Sequence, residues 1–84
     1  MRGPYSGSMG QKKNINKLLS EPTEMSIREV TNVLGFFGYK LDRIKGSHHI
    51  FAKPGYDTIT VPAHRGKVAK VYLKDLKKLI NHML

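Results

Sequence analysis

Apolar residues recur along this chain with two rhythms, and the changes between them mark its elements. Ile15, Leu18 and Leu19 are spaced for one face of a short helix over residues 11–19. Asn14 is placed to cap it, and Ser20-Glu21-Pro22 stops it, because proline disfavours helix at the residue before it. A helix this short is marginal alone and is expected to pack on the rest of the domain. Ser26-Ile27-Arg28-Glu29 has the pattern of a capping box, in which Ser and Glu satisfy free backbone donors reciprocally. Ile27, Val30, Leu34 and Phe37 then make an apolar stripe, and Gly38 is a natural C-cap. The spacing predicts a helix over 26–37.

A period of two takes over next. Residues 39–45 and 48–53 read as strands joined by a tight turn at Gly46-Ser47. Pro54-Gly55-Tyr56-Asp57 is a loop, and Thr58-Ile59-Thr60-Val61 is a third strand that Pro62 ends. Residues 63–70 form a basic loop. A last helix is predicted from 71 to the end, with Tyr72, Leu76, Leu79, Ile80 and Met83 on its apolar face. The order α-α-β-β-β-α predicts an α+β fold. Helices cover one face of an antiparallel three-stranded meander, and the other face stays open. Residues 1–8, where Gly7-Ser8 precedes a second methionine, Met9, read as the remnant of an expression tag. Residues 9–24 read as an N-terminal extension and 25–84 as the domain proper.

Charge narrows the function. Fifteen Lys+Arg against six Asp+Glu give a formal net charge of +9 over 84 residues. Six of the basic residues and one acid lie within 65–78, and Lys40, Arg43, Lys45 and Lys53 face only Asp42 within 40–53. Two basic blocks that converge on one surface point to a polyanion as partner, nucleic acid above all. There is no cysteine, so disulfides, thiolate catalysis and Cys-based zinc sites are all excluded. No run approaches the roughly 18 apolar residues of a membrane span. No basic start leads into an apolar stretch, so a cytoplasmic protein without a secretory signal is expected.

Four histidines remain as candidate chemistry. His82 falls in the last turn of the last helix, where a cation complements the helix dipole. His48 and His49 are adjacent on a strand and point to opposite faces, so they are badly placed to chelate one metal. Carboxylates are too scarce for a magnesium or calcium site. A metal-free and cofactor-free role suits the composition better. Histidine exchanges a proton near neutral pH, and RNA carries its own nucleophile, the 2′-hydroxyl. One general base beside several cations that stabilise a pentavalent phosphate is enough to cleave it.

The string Gly46-Ser47-His48-His49-Ile50-Phe51, with Gly38-Tyr39 and Arg43-Ile44-Lys45 before it, resembles the HicA (YcfA-like) mRNA interferase toxins. So do Ser26-Ile27-Arg28-Glu29-Val30 in the opening helix and Ile59-Thr60-Val61-Pro62-Ala63-His64-Arg65-Gly66-Lys67 downstream. The resemblance covers about residues 25–84. It implies an α-β-β-β-α fold like that of a double-stranded-RNA-binding domain, here with an extra short N-terminal helix. It implies cleavage of mRNA, neutralised by a HicB-type antitoxin. The family's Gly-Ser-His histidine maps to His48, with His49, one position on, as second candidate. The pleat favours His48. Phe51 is the expected core residue, His49 shares its face, and His48 and Ile50 take the open side. Lys45, Ser47, Lys53, His64, Arg65, Lys67 and Lys70 are the expected RNA-binding residues. The competing reading is a non-catalytic RNA-binding module of the double-stranded-RNA-binding type. Such a module needs a long loop between its first two strands, and a two-residue turn at Gly46-Ser47 leaves none.

Overall fold

The computed structural model describes residues 4–84, with side chains from Gln11 onward; residues 1–3 of the expected tag remnant lie outside it. In chain order the elements are α1 (Pro4–Leu19), β1 (Glu24–Ser26), α2 (Ile27–Phe36), β2 (Lys40–Lys45), β3 (His48–Ala52), β4 (Ile59–Pro62), β5 (Lys67–Ala69) and α3 (Lys70–Met83). Strands β2, β3 and β4 form the expected antiparallel meander, and β1 pairs with β5 in a separate two-stranded ribbon. The fold is α+β, with the layer arrangement of a double-stranded-RNA-binding domain and an additional N-terminal helix. Among the described residues, no helix is long and apolar enough to cross a membrane.

α2 forms as its sequence dictates. The Ser26 hydroxyl accepts from the Glu29 N–H at 3.0 Å, and the Ser26 N–H donates to the Glu29 carboxylate at 3.0 Å. A hydrogen bond from Lys17, followed by the Ser26 N–H, holds the Glu29 carboxyl below the usual carboxylate range. The far end closes in a Schellman motif. Tyr39 N–H donates to Leu34 O and Gly38 N–H to Gly35 O, with Gly38 in the left-handed conformation at φ 94°.

α1 begins before the expected stretch, so Asn14 is an interior helical residue and not its cap. Its side-chain amide instead donates to Asn32 of α2 at 3.0 Å. Ile15 and Leu18 are buried against α2 and the rest of the core. The chain leaves α1 through Glu21 at φ 57°, whose carboxylate accepts from Lys77 of α3 at 2.7 Å. That bond pulls the Glu21 carboxyl below its usual range.

Phe51 and Val61 lie at the centre of the core, packed with Val30, Val33, Leu34, Leu73, Leu76 and Ile80. The register sets Phe51 against Ile59, His49 against Val61, Ile50 against Thr60 and His48 against Pro62. His49 therefore shares the core side with Phe51 and Val61, whereas His48 and Ile50 take the other face, as the pleat demands. Ile50 stands outside the core cluster but is itself buried, at 8% exposed, so the face expected to be open is open at His48 and covered at Ile50. On α3 the buried stripe is Leu73, Leu76 and Ile80, and Tyr72 is 40% exposed. The expected face is therefore kept at Leu76 and Ile80, with Met83 packed against the core, and differs at its start, where Leu73 is buried in place of Tyr72.

The ribbon is the part that sequence reading missed. Met25 and Val68 face each other in it, both fully buried, although Val68 lies in the stretch 63–70 expected to be a basic loop. Three-residue strands with one buried residue each leave no alternation to detect.

Candidate active site

Two tight turns bring the chemistry together. The first joins β2 to β3, with Lys45 paired directly to His48 across Gly46-Ser47 and Gly46 at φ 60°. A two-residue turn of this kind needs a positive φ at its first position, which glycine adopts without strain. The second joins His64 to Lys67. His64 N–H donates to Lys67 O at 2.8 Å, and Lys67 N–H returns the bond at 2.9 Å. Arg65 and Gly66 between them lie at φ 51° and 77°, the signature of a type I′ turn. Ile27, the first residue of α2, donates its N–H to Gly66 O at 2.8 Å and fixes this turn to the capped helix. Ala63 N–H donates to Ser47 O at 2.8 Å and ties the two turns to each other.

Between them opens a cleft of about 200 Å³, lined by Ser47, His48, Pro62, His64, Lys67 and Tyr72. His48 is exposed and opens the strand that carries it. His49 is half-buried on the opposite side of the sheet, and its Nδ1 lies 3.3 Å from Ser47 O. The structure places His48 in the cleft and His49 outside it.

The other expected residues divide. Lys45 stands opposite His48 on the exposed edge strand β2. Ser47, His64 and Lys67 line the cleft itself. Lys67 also approaches Glu24 at 4.0 Å; both side chains are more than half exposed, so this contact leaves most of the lysine's charge available. Arg65 sits at the tip of the second turn, in a neighbouring hollow with Thr23, Glu24 and His64. Lys70 is the exposed first residue of α3. The N-cap position of that helix is Ala69, which offers no side-chain cap, and the helix's first turn holds no acid. Its free N–H groups and positive dipole end are open to an anion beside the cleft. Lys53 is not brought to this place. It follows the far end of β3, roughly 16 Å along the strand from His48. There its ammonium lies 4.2 Å from the ring centroid of Tyr56 and 5.6 Å from that of Tyr39.

Tyr72 is the cleft residue that sequence reading assigned elsewhere. Its spacing from Leu76 matches an apolar stripe, and only its hydroxyl distinguishes it from a core residue. Among the described residues, no three His, Asp or Glu side chains gather as a metal site would require.

No curated protein and no solved structure matches the chain. The family model for the HicA toxin of bacterial toxin–antitoxin systems matches residues 27–81. That span contains every residue that lines the cleft; α1 and β1 lie outside it. With most of its length and its whole cleft inside the match, the chain belongs to the HicA toxin family, the toxic half of a pair whose other half is an antitoxin.

Proposed function

We propose that this toxin is a metal-independent endoribonuclease that cuts mRNA at a phosphate held in the cleft, with His48 as general base. The observation that carries this reading is the meeting of His48, His64 and Lys67 in one solvent-open cleft beside the uncapped start of α3. Neutral His48 takes the proton of a 2′-hydroxyl. The freed oxygen attacks the adjacent phosphorus, a bond from the 2′-oxygen to phosphorus forms, and the bond to the 5′-oxygen breaks. The 5′-oxygen leaves with a proton from His64 in its imidazolium form or from water. The products are a 2′,3′-cyclic phosphate and a 5′-hydroxyl. Lys67 and the N–H groups of α3 offset the charge that builds on the phosphoryl oxygens. A HicB-type antitoxin silences the enzyme by covering this cleft.

The test is incubation of the purified chain with mRNA in excess EDTA, with the cut ends mapped. Cleavage is expected to persist and to leave cyclic phosphate ends. Activity that vanishes in chelator and returns with a divalent ion rules out the metal-free mechanism. The alternative, a non-catalytic module that grips double-stranded RNA, is disfavoured by the first hairpin. Its two-residue turn projects no loop toward a second minor groove.

Phosphate binding has its own signature. The salt dependence of RNA affinity should show a log–log slope of about −0.7 for each phosphate neutralised on a single strand. Lys67→Ala combined with Lys70→Ala should reduce that slope by about one to two such steps. A slope equal to the parent's removes both lysines from the RNA track.

A further inference from the structure

A second hollow of about 140 Å³ lies next to the first, and the Tyr72 ring is the wall they share. Its other lining includes Thr60 of β4 and Asp75, Leu76 and Leu79 of α3. It runs along the outer edge of β4, which has no strand beyond it.

The ladder phase decides what that edge offers. Ala63 N–H donates to Ser47 O, so the bonded pairs between β3 and β4 are Ser47/Ala63, His49/Val61 and Phe51/Ile59, recurring every second residue. Thr60 falls between them and directs both its N–H and its C=O away from β3, on the edge that lines the hollow. Among the described residues, neither group has a backbone partner outside the ladder. Pro62, the next outward residue, has no N–H to give. The edge thus presents the donor–acceptor pair of Thr60 and beyond it only the Pro62 carbonyl, an acceptor without its donor. A docking β-strand needs several such pairs in a row, whereas one planar heterocycle needs only this pair.

The surroundings fit that heterocycle. Tyr72 supplies an exposed aromatic face, and Leu76 and Leu79 supply an apolar floor. Asp75 is the one acid within residues 65–78. It repels a phosphate but accepts a hydrogen bond from an exocyclic amino group. Thr60 and Pro62 are about 7 Å apart along β4. A single strand whose phosphate lies by His48 can therefore reach the hollow with an adjoining base. Resting on the RNA-cleaving reading of the first cleft, we infer that this second hollow is a base-binding subsite. Tyr72 stacks a nucleobase beside the scissile phosphate. Thr60 and Asp75 select a base that carries an amino group, adenine, cytosine or guanine, over uracil.

The experiment uses the full chain and a pool of short oligoribonucleotides with all four bases at every position, the cut sites being read by sequencing. Tyr72→Ala is expected to lower kcat/KM about 5- to 100-fold, the effect of losing one base–aromatic stack. Tyr72→Phe keeps the ring and should recover most of the kcat/KM that Tyr72→Ala loses. Asp75→Asn should admit uracil at the selected position and flatten the preference. Both side chains are exposed, and unchanged melting temperatures separate these effects from misfolding. If Tyr72→Ala and Asp75→Asn cut with the parent's rate and preference, the subsite is wrong while the cleavage reading stands. If the parent cuts no RNA, the cleavage reading fails by itself, and the same oligonucleotides are titrated for binding. Affinity that favours amino-bearing bases and falls in Tyr72→Ala then upholds the subsite, and base-independent affinity overturns it. Variants that keep all RNA behaviour but lose the antitoxin make the hollow a protein-docking surface and also overturn the inference.

Discussion

His48→Ala is expected to lower the rate of RNA cleavage by about 10²–10⁴-fold, the usual contribution of a general base. The substitution leaves no buried cavity, because His48 is exposed and is not a member of the core cluster. The variant should melt with the parent and still bind RNA and antitoxin. His49→Ala should behave in the opposite way. Its ring is half-buried on the core side, across from Val61, with Nδ1 by the Ser47 carbonyl. Removing it loses packing and one hydrogen bond worth about 1 kcal/mol, and so lowers Tm by roughly 4–8 °C. Cleavage at a temperature where the variant is folded should stay close to that of the parent. Thermal melts and cleavage assays on both variants settle the assignment. If His48→Ala cuts RNA at the parent's rate while His49→Ala is folded and inactive, the base is the residue on the other face. If parent and variants all bind RNA tightly and none cuts it, the chain is a binding module.

The contrast between these two histidines was legible in the sequence because a strand's pleat is rigid. Once Phe51 is assigned to the core, the sides of His48, His49 and Ile50 follow by counting. The capping box at Ser26 and the turn at Gly46-Ser47 were legible for the same reason, since each is a local motif with fixed geometry. What escaped was decided by distant partners. Nothing near Met25 announces that Val68, far along the chain, will pair with it in a ribbon. Whether Tyr72 or Leu73 opens the buried stripe of α3 is not decided by spacing, because Leu76 follows either one at a helical interval. The meeting of His64 and Lys67 with His48 depends on the type I′ turn at Arg65-Gly66 and on its bond to the start of α2. Lys53 shows the converse. It belongs to a basic block in sequence, but strand length carries it to the far end of the sheet, over Tyr56.

Leu18→Ala is expected to remove about 2–5 kcal/mol of stability, as truncation of a buried leucine generally does. Small domains hold only about 5–15 kcal/mol in all, so the loss is a large fraction of the total and lowers Tm by roughly 10–30 °C. Leu18 is 1% exposed and belongs to the core, although it lies outside the span that matches the family model. The other ties of α1 are weaker. The Lys17–Glu29 pair is 2.8 Å long but solvent-exposed, and such pairs are worth about 0–1 kcal/mol. Lys17→Ala should therefore move Tm by only a few degrees, since the Ser26–Glu29 capping box survives it. The cleft draws its residues from the β2–β3 turn, the end of β4, the His64–Lys67 turn and α3, none of them on α1. Leu18→Ala should thus cleave RNA at the parent's rate well below its lowered Tm. Equal melting temperatures for parent and Leu18→Ala would make α1 a dispensable appendage. A variant that melts like the parent but no longer cleaves would place α1 in the functional surface. A large fall in Tm with chemistry intact makes α1 a structural addition, one that completes the core from outside the family-matched region.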